Sequence, residues 1–141
     1  MSAEENIQNL YMEFQMLNNA IKQLEKQNQV LENQLMELVS TNQSLEDIQK
    51  VKEGTEILVP LSSGIYVQAE LKDSSNFIVN IGSSIALNKD VNATRKIIEE
   101  QISEIGKMRE NLAEELQSNV GKAASIESEM KKIASGIKEG E

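Results

Sequence analysis

The sequence lacks the residues on which many small catalytic and metal sites depend. It contains no cysteine and no histidine, so disulfides, Cys/His zinc sites and thiol or imidazole catalysis are excluded. Tryptophan is absent, and aromatic residues make up only 3% of the 141 residues. That share is low for a compact globular core and normal for a coiled coil. Because cysteine and histidine are both missing, we predict no metal site, and we expect no cofactor.

Basic charge and targeting segments are also scarce. The formal net charge is −9, and no third of the chain carries a net positive charge, which argues against nucleic acid as a partner. The first residues are acidic and no long apolar run follows, so we expect no secretory signal, no membrane partner and a cytoplasmic protein. The acidic balance indicates either solubility of an elongated surface or acidic outer faces that limit self-association.

Residues 4–52 carry an uninterrupted heptad repeat with no proline or glycine. The seam positions are Ile7, Leu10, Phe14, Leu17, Ile21, Leu24, Asn28, Leu31, Leu35, Leu38, Asn42, Leu45 and Gln49. Such a run predicts a long coiled-coil helix that Gly54 terminates. Asn28 and Asn42 reduce stability at the seam but can fix register and pairing.

Residues 90–137 repeat the pattern, with Asn88 or Asp90 as the N-cap. The steps along this second seam alternate between four and three, through Val91, Arg95, Ile98, Ile102, Ile105, Arg109, Leu112, Leu116, Asn119, Ala123, Ile126, Met130, Ile133 and Ile137. Two helices of nearly equal length imply an antiparallel coiled-coil hairpin within the chain. Matching the seams places Leu31 opposite Arg109 and Asn28 opposite Leu112.

Residues 56–88, between the helices, have the signature of strands and turns. Four short runs of β-branched and apolar residues are separated by Ser/Gly or Asp/Ser/Asn clusters, and apolar residues alternate within the runs. This predicts two β-hairpins joined by residues 72–76. Isolated hairpins are marginally stable in water, so we expect their apolar face and open edges to need other chains.

The centre of the chain reads LVPLSSGIYVQAEL from Leu58 to Leu71 and FIVNIG from Phe77 to Gly82. These stretches, with helices on both sides, resemble the prefoldin α-class subunit over essentially the whole chain. The presence of two hairpins favours the α class over the β class. The resemblance implies a mainly α fold with a small β segment, in which residues 1–141 form a single domain. Its long antiparallel two-helix coiled coil is joined by two β-hairpins that build an intersubunit β-barrel platform.

The resemblance also implies a function. A hexamer of two α and four β prefoldin subunits would hold unfolded or nascent polypeptides at the distal coiled-coil tips, without ATP, and deliver them to a group II chaperonin. The predicted client-binding residues are Ile7, Leu10, Tyr11, Met12, Phe14, Ile126, Met130, Ile133 and Ile137. The predicted oligomerisation residues are Leu58, Val59, Leu61, Ile65, Val67, Leu71, Phe77, Val79, Ile81, Ile85 and Leu87. Edge pairing would use residues 58–61 and 77–81.

Three alternatives bear on this interpretation. Tyr11, Met12 and Met16 lie outside the seam, which indicates fraying, packing in a larger assembly or an exposed apolar end that binds non-native clients. The chain as a whole could instead be a structural spacer or filament former without clients. An enzyme is disfavoured, because two helices and two hairpins offer no preorganised pocket, and adjacent pairs such as Glu99 and Glu100 diverge on a helix.

Overall fold

The computed structural model describes residues 2–139, and the side chains of residues 2–136. Helix α1 spans Ala3–Gln49 and helix α2 spans Val91–Glu139. Between them in sequence lie strands β1 (Glu56–Ser62), β2 (Ile65–Glu70), β3 (Asn76–Gly82) and β4 (Ile85–Asp90). Two long helices with two antiparallel hairpins between them confirm the predicted fold class.

Helix α1 ends at Gln49, not at Lys52 as the heptad pattern suggested. The amides of Lys50 and Val51 donate to carbonyls three residues back, at 3.2 and 3.1 Å, which tightens the last turn. Gly54 then takes a φ of 86°, a left-handed conformation that favours glycine, before β1 begins. The helix therefore ends at the last seam position, Gln49, and the turn up to Gly54 leads into β1.

Helix α2 follows β4 with no intervening loop, and Asp90 is its N-cap. The Asp90 carboxylate accepts a hydrogen bond from the Ala93 amide at 2.7 Å, which satisfies one of the free donors of the first turn. The Asp90 carbonyl accepts a second hydrogen bond, from the buried Thr94 hydroxyl at 2.8 Å. Of the two N-caps that the sequence allowed, the structure therefore selects Asp90.

The two hairpins are an internal repeat in which the second copies the register of the first twenty residues later. Val59 pairs with Val67 in the first hairpin, and Val79 pairs with Leu87 in the second. Both hairpins also shift register at the same place, between Pro60 and Ser62 and between Asn80 and Gly82. Residues twenty positions apart therefore occupy equivalent backbone positions in the two hairpins, and their side chains can be compared directly.

The turns of the two hairpins differ. In the first, Gly64 takes a φ of 80°, which glycine adopts without a steric penalty. In the second, Ser83 and Ser84 take φ values of 51° and 62°. Left-handed φ at both turn residues is typical of a tight hairpin turn, where Asn-Gly is the preferred sequence. Two serines in this conformation are strained, because left-handed φ is costly for residues with a Cβ atom.

The chain divides into a terminal part, Met1–Asn33 with Ile105–Glu141, and a central part, Gln34–Glu104. The buried apolar residues of the terminal part are Leu24, Ile105, Ala123 and Ile126. Those of the central part are Leu45, Val91 and Ile98. All of them occupy predicted seam positions, so in each part burial follows the heptad pattern.

Candidate functional site

An exposed apolar surface lies near the start of α1, in the terminal part. Tyr11, Met12 and Met16 are all more than half exposed, and we call them the N-terminal apolar surface. Met12 and Met16 are one helical turn apart. Gln15 donates a hydrogen bond from its side-chain amide to the Tyr11 hydroxyl at 3.1 Å, which orients the ring. This surface presents flexible thioethers beside an aromatic ring, a combination suited to variable apolar partners.

The other predicted client-binding residues are less accessible. Ile7, Leu10 and Phe14 on α1 are half-buried, as are Met130 and Ile133 on α2. Ile126 is buried, with 7% of its surface exposed, so it can touch a client only after the helices open locally. The side chain of Ile137 lies outside the described residues. The exposed members of the predicted set are therefore Tyr11 and Met12, and the client-binding role of the whole set stays a prediction.

A polar layer crosses the seam of the terminal part. The Arg109 side-chain Nε donates a hydrogen bond to the Asn28 side-chain oxygen at 3.3 Å, and both residues are half-buried. The matched seams had placed Arg109 opposite Leu31, one turn from Asn28, and the long arginine side chain spans that distance. A hydrogen-bonded pair at this depth opposes sliding of one helix along the other, because a shift would leave both groups unpaired.

The hairpins, in the central part, present an apolar face that the single chain leaves largely open. Ile65, Val67, Ile85 and Leu87 lie at corresponding positions of β2 and β4, and all four are exposed. Val59, Leu58, Leu61 and Ile81 are exposed as well, whereas Leu71, Phe77 and Val79 are half-buried. The predicted oligomerisation residues, except Leu71 directly after β2, therefore lie on small two-stranded sheets with much of their apolar area in water. Their role in assembly stays a prediction.

The alternation pattern missed two apolar residues of the hairpins. Ile78 is 81% exposed, more than any other large apolar residue among those described, and Tyr66 is also exposed. Both alternate with the residues of the apolar face and were therefore assigned to the polar one. The internal repeat could have revealed Ile78, because it corresponds to Leu58, one of the predicted oligomerisation residues.

The link between the hairpins is fixed by one carboxylate. Asp73 accepts hydrogen bonds from the amides of Ser75 and Asn76, at 2.8 and 3.1 Å, and from the Asn76 side chain at 3.0 Å. The hydrogen bond from the Ser75 amide, followed by that from the Asn76 side chain, lowers the pKa of Asp73 below its ordinary value. This charge organises the turn between β2 and β3.

The described residues contain no group of three or more His, Cys, Asp or Glu side chains that could hold a metal ion. Neither helix, over the part that the structure describes, has a stretch long and apolar enough to cross a membrane. Exposed apolar surfaces lie on the hairpins and on α1.

Comparison with known proteins identifies a family to which the chain is similar. The family model described as "Prefoldin subunit" matches residues 17–136. The prefoldin subunit alpha of Thermofilum pendens is 31% identical over 86 residues, covering 61% of this chain and 67% of the relative. That of Methanococcus vannielii is 26% identical over 133 residues, covering 94% and 89%. The cryo-EM structure of filamentous PFD from Methanocaldococcus jannaschii matches with a TM-score of 0.74 at 20% sequence identity. The match covers 82% of this chain and 96% of the chain in that structure, so the two chains share a fold.

Proposed function

Because this chain belongs to the prefoldin family, as a subunit of its α class, we propose that it serves in an ATP-independent holdase. Two such chains and four β-class subunits form the hexamer. The hexamer binds unfolded or nascent polypeptides in the cytoplasm and delivers them to a group II chaperonin. The observation that carries this proposal is the exposed apolar face of the hairpins, since monomeric proteins rarely leave such faces in water.

Assembly follows from the state of the hairpins. Each is a two-stranded sheet, and such sheets need further strands or a packed face for independent stability. Joining hairpins from several chains buries the apolar face and pairs the open edges in one step. A closed barrel of hairpins removes every edge, which is why we propose a barrel platform. That residues 1–141 act as one domain around this platform stays a prediction.

Client binding is assigned to the ends of the coiled coil. The N-terminal apolar surface is exposed without assembly, and the half-buried seam residues around it become available if the ends of the helices separate. Methionine side chains adapt to many apolar shapes, as holding non-native proteins requires. Independence from ATP is proposed because membership of the prefoldin family implies it.

The experiment tests the helix ends within the assembled complex. The hexamer is built with a purified β-class subunit and with a chain that lacks residues 1–16 and 124–141. Suppression of the aggregation of a chemically denatured protein is then followed by light scattering. We expect assembly to persist and suppression to be lost. A truncated hexamer that suppresses aggregation as fully as the intact one would refute the tip mechanism.

Point variants separate client binding from the loss of chain length. Replacing Tyr11, Met12 and Met16 together by serine removes the N-terminal apolar surface and leaves the seam intact. The matched control replaces Val30, Met36 and Val39, three exposed apolar residues outside the seam of the same helix. We expect weaker suppression from the first triple variant and unchanged suppression from the second. If both triple variants suppressed aggregation equally weakly, client binding would depend on exposed apolar residues along the whole helix and not on the N-terminal apolar surface.

A structural role is the second candidate. The observation that favours it is the shared fold with a PFD that is filamentous. A spacer or filament former would assemble from this chain alone and would suppress no aggregation. The holdase subunit requires a different partner chain, so the mass of the chain in the absence of other subunits discriminates between the two.

A further inference from the structure

We propose that the Arg95 guanidinium donates a hydrogen bond to the Asn42 side-chain oxygen, and that this pair is a second copy of the polar layer formed by Asn28 and Arg109. Together the two layers fix the register in which α1 and α2 pair. The pairing concerns the two helices of this chain alone, so it does not depend on the proposed function.

Asn42 lies at a seam position of the central part, and its side-chain oxygen is closed to solvent. No described residue donates a hydrogen bond to that oxygen, and it is the only buried side-chain nitrogen or oxygen in this state among the described residues. A buried acceptor without a donor makes unfolding easier by about tenfold in the equilibrium constant. Such groups are rare in folded proteins, so we expect a donor within reach.

The sequence places a donor at the corresponding position of the other helix. Asn28 and Asn42 are two heptads apart in α1, and Arg95 and Arg109 are two heptads apart in α2. Because the helices are antiparallel, two heptads toward the hairpins lead from Asn28 to Asn42 on one helix and from Arg109 to Arg95 on the other. Arg95 is therefore related to Asn42 as Arg109 is to Asn28, and the Arg109 Nε donates to the Asn28 side-chain oxygen at 3.3 Å.

Arg95 is available for this hydrogen bond. It is half-buried at the seam, as Arg109 is, and it takes part in no hydrogen bond or ion pair among the described residues. A guanidinium carries several N–H donors on a long flexible stem, and the Arg109 side chain already spans one helical turn to reach its asparagine. The same reach from Arg95 ends at Asn42, so a change of side-chain rotamer closes the second layer.

The apolar seam alone does not determine the register. Leucine occupies every d position of α1 from Leu10 to Leu45, so a slip of one heptad, about 10 Å, exchanges one leucine for another. The same slip puts Ile102 or Leu116 in the place of Arg109 and breaks the second layer in the same way. Only the matched register pairs both layers, and it keeps the predicted client-binding residues of the two helices level with each other.

The sign of one substitution separates a paired oxygen from an unpaired one. Asn42→Ala removes the oxygen and puts a better helix former in α1. If the oxygen has no donor, the substitution stabilises the chain. If Arg95 pairs with it, the equilibrium constant for unfolding rises about tenfold. We expect the rise, measured on the full chain by urea unfolding, and a stabilised Asn42→Ala variant would overturn the inference.

A double-mutant cycle assigns the loss to the pair and not to packing. We expect the variant with both Asn42→Ala and Arg95→Ala to be about tenfold more stable than the sum of the single effects, as for Asn28→Ala with Arg109→Ala. The matched control combines Asn42→Ala with Arg109→Ala, which belong to different layers, and its effects should be additive. An additive result for Asn42 and Arg95 would overturn the inference.

The register is read from introduced disulfides, since the chain has no cysteine of its own. Leu17→Cys with Ala123→Cys reports the matched register, because these two positions face each other in the matched seams. Leu17→Cys with Leu116→Cys reports a slip of one heptad. We expect only the first pair to form a disulfide under mild oxidation while both polar layers are present.

Replacing all four polar residues of the two layers by leucine removes the proposed lock. In that background we expect the second cysteine pair to form a disulfide as well, because the seam then accepts either register. A four-leucine variant in which only the first pair forms a disulfide would overturn the role of the layers in fixing the register. Disulfides from both pairs while the layers are present would overturn it too.

Discussion

Replacing Ile65 by alanine tests whether the apolar face of the hairpins is buried on assembly. Ile65 lies on β2 at the edge of the turn and is 57% exposed in the single chain. Alanine lacks the three carbon atoms beyond Cβ, so less apolar surface leaves water when the subunits join. We expect the variant chain to remain helical and to assemble less tightly with a β-class subunit.

The exposed fraction sets the size of the effect. Burial of about 0.8 kcal/mol per methyl or methylene group gives about 2.4 kcal/mol for the three carbons when they are fully buried. Because 57% of Ile65 is still open to water, about 1.4 kcal/mol is gained on assembly, which corresponds to about tenfold in the dissociation constant. The loss applies to each copy of the chain in the complex.

The assay is a titration of the chain with a purified β-class subunit, followed by the mass of the product. Met36→Ala is the matched control, since it also removes three heavy atoms beyond Cβ from a residue that is 65% exposed, but from α1 and not from the hairpins. Ile65→Thr keeps the β-branch that strands favour, so it separates assembly from hairpin stability. If Ile65→Ala assembled no less tightly than Met36→Ala, the apolar face would not be the assembly surface.

Three further predictions concern stability and are measured by urea unfolding. Ser83→Gly relieves a left-handed φ of 51° and should raise the free energy of unfolding by about 1 kcal/mol. Ser63→Gly, at the corresponding position without positive φ, should lower the free energy of unfolding slightly. Equal effects of the two substitutions would refute the assignment of strain. Asn28→Ala leaves the Arg109 guanidinium without its acceptor and should lower the free energy of unfolding by about 1–3 kcal/mol. Leucine at both Asn28 and Arg109 should restore it, because an apolar pair leaves no group unpaired; a double variant as unstable as the single one would contradict this. The lowered pKa of Asp73 means that its charge stabilises the fold above the ordinary aspartate pKa and that this contribution is lost as the pH falls through the lowered value. Asp73→Asn should therefore make stability less dependent on pH as the pH falls below the ordinary aspartate pKa of about 4, and an unchanged profile would show that the turn does not depend on the charge.

The long-range features of the fold were predictable because they depend on repeated patterns. Thirteen heptad positions specify the seam of α1, and the apolar residues that are buried, such as Leu24 and Ile98, all lie on the predicted seams. Apolar alternation in the centre similarly specifies two hairpins. A few exceptions do not change either prediction, because the free energy of burying a helical stripe or a sheet face is a sum over many residues.

Local features were harder to predict because they depend on single hydrogen bonds and single dihedral angles. Asn88 and Asp90 are both good caps, and only the bond from the Ala93 amide decides between them. Nothing in the sequence of Ser83 and Ser84 indicates left-handed φ values, which asparagine and glycine adopt more readily. The hydrogen bond between Asn28 and Arg109 was not predicted, because seam matching placed Arg109 opposite Leu31 and ignores the reach of an arginine side chain.

Ile78 shows the limit of alternation as a guide to the candidate site. A period of two assigns it to the polar face, yet it is a large apolar residue that is 81% exposed. Burial on one face cannot explain such a residue, so another contact must be sought for it. The twenty-residue repeat, which relates it to Leu58, was the signal that the sequence contained.

The most direct test of the account is the mass of this chain in solution, alone and mixed with a β-class subunit, measured by light scattering. The account predicts a defined species of about six chains that appears only in the mixture, because the hairpins need different partner chains to bury their apolar face. Long polymers that grow from this chain alone would support the filament alternative. A stable monomer that does not bind added β-class subunits would contradict the claim that the hairpins assemble with other subunits, because their apolar face would then stay exposed.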